Sequence, residues 1–339
     1  MNISVLGIDT AKHVFHLCGM NRAGKPKLKK KVSRKKLIES VLQSGSKTVA
    51  MEACGGSYHW AREFESHGLK VKLIPPQYVK PYVKSNKTDF NDAEAIAEAS
   101  SRPTMRFVSI KTTEQQDLQA IHRVRERYVK HRTALSNEAR GLLHEHGIVI
   151  SQGQASFKKF MVEELQDSPN LSRCFKTLMS EIYEEFVLTE SRIKRLEQQL
   201  SNVAKNNPIM TRLMAIPGVG LICATGVVAA IGTPQDFKNG RCFASWLGLT
   251  PREYSSGGKQ SLFGITKRGN SYLRRQLVHG ARSIVYHSRH RSDPQSLWIQ
   301  NLRQKAGNNK TVIAFANKTA RIIWNVMAND TDYQPRLAY

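Results

Sequence analysis

The sequence predicts an α/β plus α chain: a mixed-sheet domain, a helical coiled-coil middle, and a mainly helical C-terminal domain carrying a helix–hairpin–helix-like element. Three observations predict it. Residues 1–107 interleave short apolar runs with helix-like segments that stop at Gly or Pro. Residues 113–147 and 175–204 keep a helical period over many turns. From residue 206 onward, short small-residue helices are broken by glycine turns. The expected boundaries are 1–108, 109–205 and 206–339.

In the first region, "ISVLGID" reads as a buried strand and "VFHLCGMN" as a second, joined by the short link "TAKH". "KPKLKKKVS" is basic and reads as an edge strand facing phosphate. "RKKLIESVLQSG" reads as a helix ending at Gly45, "TVAMEAC" as a strand, "SYHWAREFESHG" as a helix ending at Gly68, and "KVKLIPP" as a strand stopped by two prolines. An opening meander followed by strand–helix alternation points to a mixed sheet rather than a plain doubly wound one.

In the second long helix, Ile182, Phe186, Thr189, Ile193, Leu196, Leu200 and Val203 form a seam with alternating spacings of four and three, broken only by Thr189. The first is patchier, with Ile121, Val124, Tyr128, Leu135 and Leu142. Such helices suit an antiparallel coiled-coil hairpin, a dimer arm, or a plain two-helix layer. Between them lies a short helical piece around "FKKFMVEELQ". Further on, "MAIPGVGLICATGVVAAIG" reads as helix, Pro-Gly-Val-Gly turn, helix; a glycine turn lets backbone N–H groups approach a phosphate.

Charge narrows the function. With 52 Lys and Arg against 27 Asp and Glu, the chain carries a net charge of +25 and a pI near 10.0, which favours a polyanionic partner. The basic excess concentrates at residues 22–36, with nine basic residues and no acid, and from residue 237 onward, with 17 against four. A mean hydropathy of −0.43 and the lack of a long uncharged apolar run argue against a membrane protein. The N-terminus has no basic n-region and no cleavage site, so it reads as a strand rather than a signal peptide. The cysteines (Cys18, Cys54, Cys174, Cys223 and Cys242) are odd in number, widely spaced and form no C-x-x-C, which suits a reducing cytosol.

Four carboxylates stand out. Asp9 ends the first strand and Glu52 lies near the end of "TVAMEAC". Asp89 and Asp92, in "KTDFNDAEAIAEA", share one helix face at i, i+3, with Thr88 as the expected N-cap. An acid pair at a helix start has an ordinary use, offsetting the macrodipole. Converging with Asp9 and Glu52, however, it would need a cation, and hard oxygen donors suit Mg²⁺ or Mn²⁺. Two such ions can hold the attacking and leaving oxygens of phosphoryl transfer.

"GIDTAK", "MEACGGSYHW" and "NKTDFNDAEAIAE" resemble the three acidic motifs of the DEDD insertion-sequence transposases, whose N-terminal domain is similar to the RuvC Holliday-junction resolvase. The resemblance spans nearly the whole chain. It extends to "IPGVG", "GLTPREYSSGG" and "ITKRGNSYLRRQL". It implies an RNase H/RuvC-like sheet, a metal site at Asp9, Glu52, Asp89 and Asp92, and a serine that becomes covalently joined to DNA. On residues alone, "PREYSSGGK" is a loop in which a serine beside Arg252 and Lys259 could attack a phosphodiester. The family motif matches Ser256, with Ser255 and Tyr254 as alternatives. No histidine is near in sequence; His279, His287 and His290 follow on the next helix.

In that helix Leu273, Leu277, Ala281 and Ile284 share a face, leaving Arg274, Arg275 and Arg282 free to meet phosphates. Lys267 and Arg268, just before it, join the nucleic-acid-binding set. The resemblance further implies donor and target DNA, a non-coding bridge RNA, and a dimer or tetramer in which the serine meets the acidic cluster of another subunit. It also implies a prokaryotic cytosolic, nucleoid-associated location. The competing readings are a RuvC-like metal nuclease using water and a non-catalytic nucleic-acid-binding protein.

Overall fold

The computed structural model describes residues 2–84, 86 and 88–335. By internal packing the chain divides into two compact units: residues 1–112 with 231–236, and residues 113–230 with 237–339.

The first unit is built on a five-stranded sheet of order β3-β2-β1-β4-β5. The strands are β1 (Val5–Asp9), β2 (Val14–Met20), β3 (Pro26–Ser33), β4 (Thr48–Glu52) and β5 (Lys70–Ile74). β1, β2 and β3 form the expected antiparallel meander, while β4 runs parallel to both β1 and β5. The basic strand β3 is at the edge, as its lysines require: an edge strand keeps one backbone side and its long cationic side chains in water.

Helices cover both faces. Helices α1 (Leu37–Gln43) and α2 (Ser57–Ser66) close one face over Leu6, Ile8, Phe15, Leu17, Val49 and Met51, with Trp60 and Phe64 packed in. α1 ends at Gly45 and α2 at Gly68, each with positive φ, the C-terminal glycine stop that the sequence signals. After the short α3 (Pro76–Val79), α4 (Asp89–Ser100) covers the other face. Its Ala93, Ala95, Ala97 and Ala99 join Val5, Cys18, Met20, Ala50 and Ile74 in a second core. Period-2 alternation thus divides β1: Leu6 and Ile8 face α1 and α2, while Val5, Gly7 and Asp9 face α4.

Among its described residues the second unit holds helices and one hairpin. α5 (Thr113–Glu145) and α7 (Arg173–Lys205) are the two long helices, with α6 (Gln154–Lys159) and a π-helical turn over Phe160–Glu164 between them. Arg125 pairs with Glu197 at 2.6 Å and Arg132 with Glu190 at 3.5 Å, so the two helices run antiparallel within one chain. On α7, Phe186, Ile193 and Leu200 are buried as expected; Thr189 is buried with them, and Val203 yields its place to Ala204.

The rest comprises α8 (Pro208–Met214), α9 (Leu221–Ala230), α10 (Gly240–Trp246), α11 (Ser271–His287), α12 (Pro294–Ala306) and α13 (Asn308–Asn329). α8 and α9 form the expected pair around Pro-Gly-Val-Gly. The turn is used for packing: a Cβ on Gly280 of α11 would sit 1.8 Å from the Gly218 carbonyl oxygen. α11 therefore packs on the turn at Gly218, while Gly220 is exposed with open space beside it. The apolar stripe of α11 is Leu273, Leu277, Ala281 and Val285, with Ile284 only partly buried, because a four-residue repeat faces a close neighbour more directly. Within "PREYSSGGK", Pro251–Glu253 form β6, which pairs antiparallel with β7 (Leu262–Ile265), and Ser-Ser-Gly-Gly lies outside both strands, as its loop reading expects. Among the described residues no helix is long and apolar enough to cross a membrane.

Candidate active site

The carboxylate cluster is built by strand register. β1 and β4 are neighbours paired as Leu6↔Val49, Gly7↔Ala50 and Ile8↔Met51. The next step along both strands brings Asp9 beside Glu52. Both are at C-terminal strand ends on the face that α4 covers, as Val5 and Ala50 are. α4 supplies the other two acids from its first turn, where Thr88 is the N-cap and its hydroxyl accepts the Asn91 N–H at 3.2 Å. The cap fixes where the helix begins, and so where Asp89 and Asp92 point.

Gly7 sets the helix height over the strand. A Cβ there would lie 2.3 Å from the Ala93 carbonyl oxygen and 2.7 Å from the Ala97 nitrogen, so the α4 backbone lies directly on β1. Ala93 and Ala97 are the small residues that permit this approach from the helix side.

The electrostatics show that the acids share one field. Asp9 is pushed up from 3.8 to about 6, first by burial, then by Asp92 and Asp89, with a smaller push from Glu52; His16 pulls the other way. The buried His16 was not singled out from the sequence. Its Cα is paired with that of Asp9 across β1 and β2. Its Nδ1 is 3.4 Å from an Asp89 carboxylate oxygen, and the ring packs edge-on to Phe90 at 4.7 Å. One ligand atom each from Asp9, His16 and Asp89 lie within 4.8 Å of one another, a grouping able to hold a metal ion. The available signal was a histidine in the apolar run "VFHLCGM", where a buried ring needs a partner. Beside the cluster, Thr10 Oγ1 and Cys54 Sγ are 3.0 Å apart, and burial pushes the Cys54 thiol up.

Across from His16, β3 places Lys31, and across from Cys18, Lys29. Lys29 is bound to Glu94 of α4 at 2.8 Å. The edge strand thus carries cations onto the rim of the acidic face.

Ser256 belongs to the second unit, at the tip of the β6–β7 hairpin. Ser256 and Lys259 form a bridge around Gly257 and Gly258, both with positive φ. The Lys259 N–H donates to the Ser256 carbonyl at 3.0 Å, so this is a tight two-residue turn that only glycines fit readily. The three hydroxyl candidates differ. Ser255 Oγ donates to the Glu253 carboxylate at 2.7 Å, whereas the Ser256 hydroxyl has no side-chain partner among the described residues. Tyr254 is 78% exposed.

The cations also divide. Arg252, Lys259, Lys267 and Arg268 are exposed, and Lys267 holds a left-handed φ of 56°. Arg274 is turned inward: its guanidinium donates to the carbonyls of Leu247 at 2.9 Å and Arg268 at 2.8 Å. Arg275 is paired with Glu126 of α5. The expectation that both would be free guanidinium groups is therefore not met. α11 lies against other elements on that side, and an apolar stripe alone does not reveal it.

Comparison with known proteins agrees with these motifs. The "Transposase" family model carrying the DEDD motif of IS110 elements matches residues 6–148, and the "Transposase IS116/IS110/IS902 family" model matches residues 210–295. The chain is 43% identical over 334 residues to the transposase for insertion sequence element IS1111A of Coxiella burnetii, covering 98% of this chain and 92% of that one. It is 43% identical over 337 residues to a probable family 20 transposase of Pseudomonas aeruginosa, covering 99% and 100%. It is 37% identical over 332 residues to the transposase for element IS1328 of Yersinia enterocolitica, covering 97% and 98%. Identity at this level runs along nearly the whole length, and the chain belongs to the IS110 family of insertion-sequence transposases, enzymes that cut and rejoin DNA.

Proposed function

We propose that this transposase cuts and rejoins DNA through a covalent link between Ser256 and a strand end, with Mg²⁺ held by Asp9, Glu52, Asp89 and Asp92. The observation that carries the reading is the crowding of acids around Asp9. Its carboxyl is held up to about 6 by burial and by three neighbouring acids, so at neutral pH the cluster is ionised only at a cost. A divalent cation removes that cost, and carboxylate oxygens are the donors Mg²⁺ prefers. His16, within reach of the same point, is the donor that Mn²⁺ tolerates better than Mg²⁺. When bound, such an ion supplies charge neutralisation and lowers the pKa of a coordinated hydroxyl.

The chain's own groups do the rest. Ser256 Oγ bonds to phosphorus while one phosphate–sugar bond breaks, and its proton ends on the departing sugar oxygen. Reversal with another strand end rejoins the DNA. Arg252 and Lys259 beside the serine neutralise the phosphate oxygens. The free hydroxyl of Ser256 favours it over Ser255, whose proton is committed to Glu253.

The finer architecture belongs to the same reading. The strand order and directions suit an RNase H/RuvC-like domain over 1–108, followed by a coiled-coil dimerising region over 109–205 and a transposase domain with a helix–hairpin–helix-like element over 206–339. A bridge RNA pairs with donor and target, and a dimer or tetramer brings the serine of one subunit to the acids of another. The net charge of +25 suits both nucleic acids.

Trapping tests the assignment. Denatured reactions of the wild-type protein with its element's DNA should yield a covalent protein–DNA adduct, retained by Ser255→Ala and lost in Ser256→Ala. An adduct that survives Ser256→Ala removes the serine from the mechanism. Sequencing RNA that co-purifies from the native host tests the guide: a discrete species from the element's own flank is expected, and bulk RNA alone would count against it.

A further inference from the structure

The β6–β7 hairpin has two chemically different faces. Glu253 is registered with Leu262, the Tyr254 N–H donates to the Ser261 carbonyl at 3.0 Å, and Ser256 bridges Lys259. Successive side chains alternate, and opposed residues share a face. One face therefore holds Glu253, Ser255, Gln260 and Leu262. The hydrogen bonds of Ser255 and Gln260 to the Glu253 carboxylate, at 2.7 and 3.2 Å, agree. The other face holds Tyr254, Ser256, Lys259 and Ser261; next to it the register shifts by one residue, so that Phe263 and Gly264 both oppose Arg252, and the Arg252 guanidinium lies 5.8 Å from the Phe263 ring centre.

On and beside that second face two large rings are left in water, Tyr254 at 78% and Phe263 at 53% exposed. Between residues 251 and 268 there are four cations and a single acid, and the acid, Glu253, is on the opposite face. Rings flanked by cations with no acid among them complement a polyanion whose bases are accessible. A paired, stacked duplex offers no base faces to such rings; an unpaired strand does.

Resting on Ser256 as the nucleophile, we propose that Tyr254 and Phe263 form a stacking platform for unpaired DNA bases beside the scissile phosphate. The platform captures a strand that has already been opened, while Arg252 and Lys259 hold its backbone. Base stacking then sets the register of the phosphate at Ser256, and the transposase selects melted over paired DNA at the point of cleavage.

The test uses the full chain and fluorescent probes roughly 20 nucleotides long: a thymidine oligonucleotide, a blunt duplex and a uridine oligonucleotide. Tyr254→Ala/Phe263→Ala should bind the thymidine strand at least fivefold more weakly, with duplex affinity within twofold of wild type. Tyr254→Trp/Phe263→Trp should restore strand binding. A loss below fivefold, or an equal loss on duplex, overturns the platform. A loss confined to the uridine strand assigns it to RNA, and a loss of self-association in sedimentation assigns it to a second copy; either overturns the proposal. The nucleophile is judged separately by adduct formation, so either idea can fail without the other.

Discussion

Gly7 and Ala93 are the point at which helix and sheet meet: a Cβ on Gly7 would lie 2.3 Å from the Ala93 carbonyl oxygen. The four-carboxylate cluster depends on this contact. Asp9 is two residues beyond Gly7, and Asp89 is one helical turn before Ala93.

Gly7→Ala should therefore push α4 off β1. Overpacking of this kind costs about 1–3 kcal/mol, and rigid backbone on the far side places it toward the upper end. The melting temperature should fall by several degrees, and divalent-metal affinity should fall with it. A variant with unchanged melting would show that α4 yields freely.

Asp9 predicts an unusual pH dependence for the metal-free protein. Its folded pKa, about 6, lies above its usual value of 3.8, so the unfolded chain loses this proton first as pH rises. The stabilisation is whole below about 3.8 and is lost as pH climbs through 6. Melting in EDTA should show this contribution falling from pH 4 to pH 7 relative to Asp9→Asn, which lacks the transition. Adding Mg²⁺ at pH 7.5 should stabilise the wild type and leave Asp9→Asn much less affected. Equal responses would place the ion elsewhere.

Gly280 meets Gly218 more closely than Gly7 meets Ala93, with a hypothetical Cβ 1.8 Å from the Gly218 oxygen. Gly280→Ala should destabilise the second unit by about 2–3 kcal/mol, read by denaturant melts of the full chain. Gly257→Ala, with no neighbour within 4 Å of its Cβ, meets only the strain of its positive φ. Its cost should be nearer 1 kcal/mol.

The basic residues should separate by role. Arg274→Ala removes the donor that satisfies two carbonyls, Leu247 and Arg268, and should lower stability by about 1–3 kcal/mol. Lys267→Ala and Arg268→Ala should leave melting unchanged. Each should weaken DNA binding across sequences and reduce the salt slope by about 1. Arg274→Ala folding normally while losing only DNA affinity would reverse this division.

Much of the first unit was legible because its signals are local. The Gly45 and Gly68 helix stops, the prolines after Ile74, the Thr88 cap and the basic edge strand each follow from backbone preferences within a few residues. His16 was less visible. Nothing in "VFHLCGM" says that its ring faces Asp89, since that contact needs β2 registered on β1 and α4 laid across both. The serine hairpin was hidden for a similar reason. "SSGG" is compatible with any turn, and only pairing between 251–253 and 262–265 makes it a two-faced ribbon.

The sequence by itself determined the family, the basic character, the order of the elements in the first unit and the positions of the four acids. These are properties of residue type and of spacing along the chain. The tertiary structure decided which of those residues share space: His16 joins the acids, Arg274 and Arg275 are turned to protein partners, the Pro-Gly-Val-Gly turn packs on α11, and Tyr254 shares a hairpin face with Ser256. The physical reason is range. Caps, stops and amphipathic periods are settled over one or two helical turns, whereas electrostatic coupling and close packing join groups tens of residues apart, and only the register of strands and the height of a helix over a glycine bring those groups together.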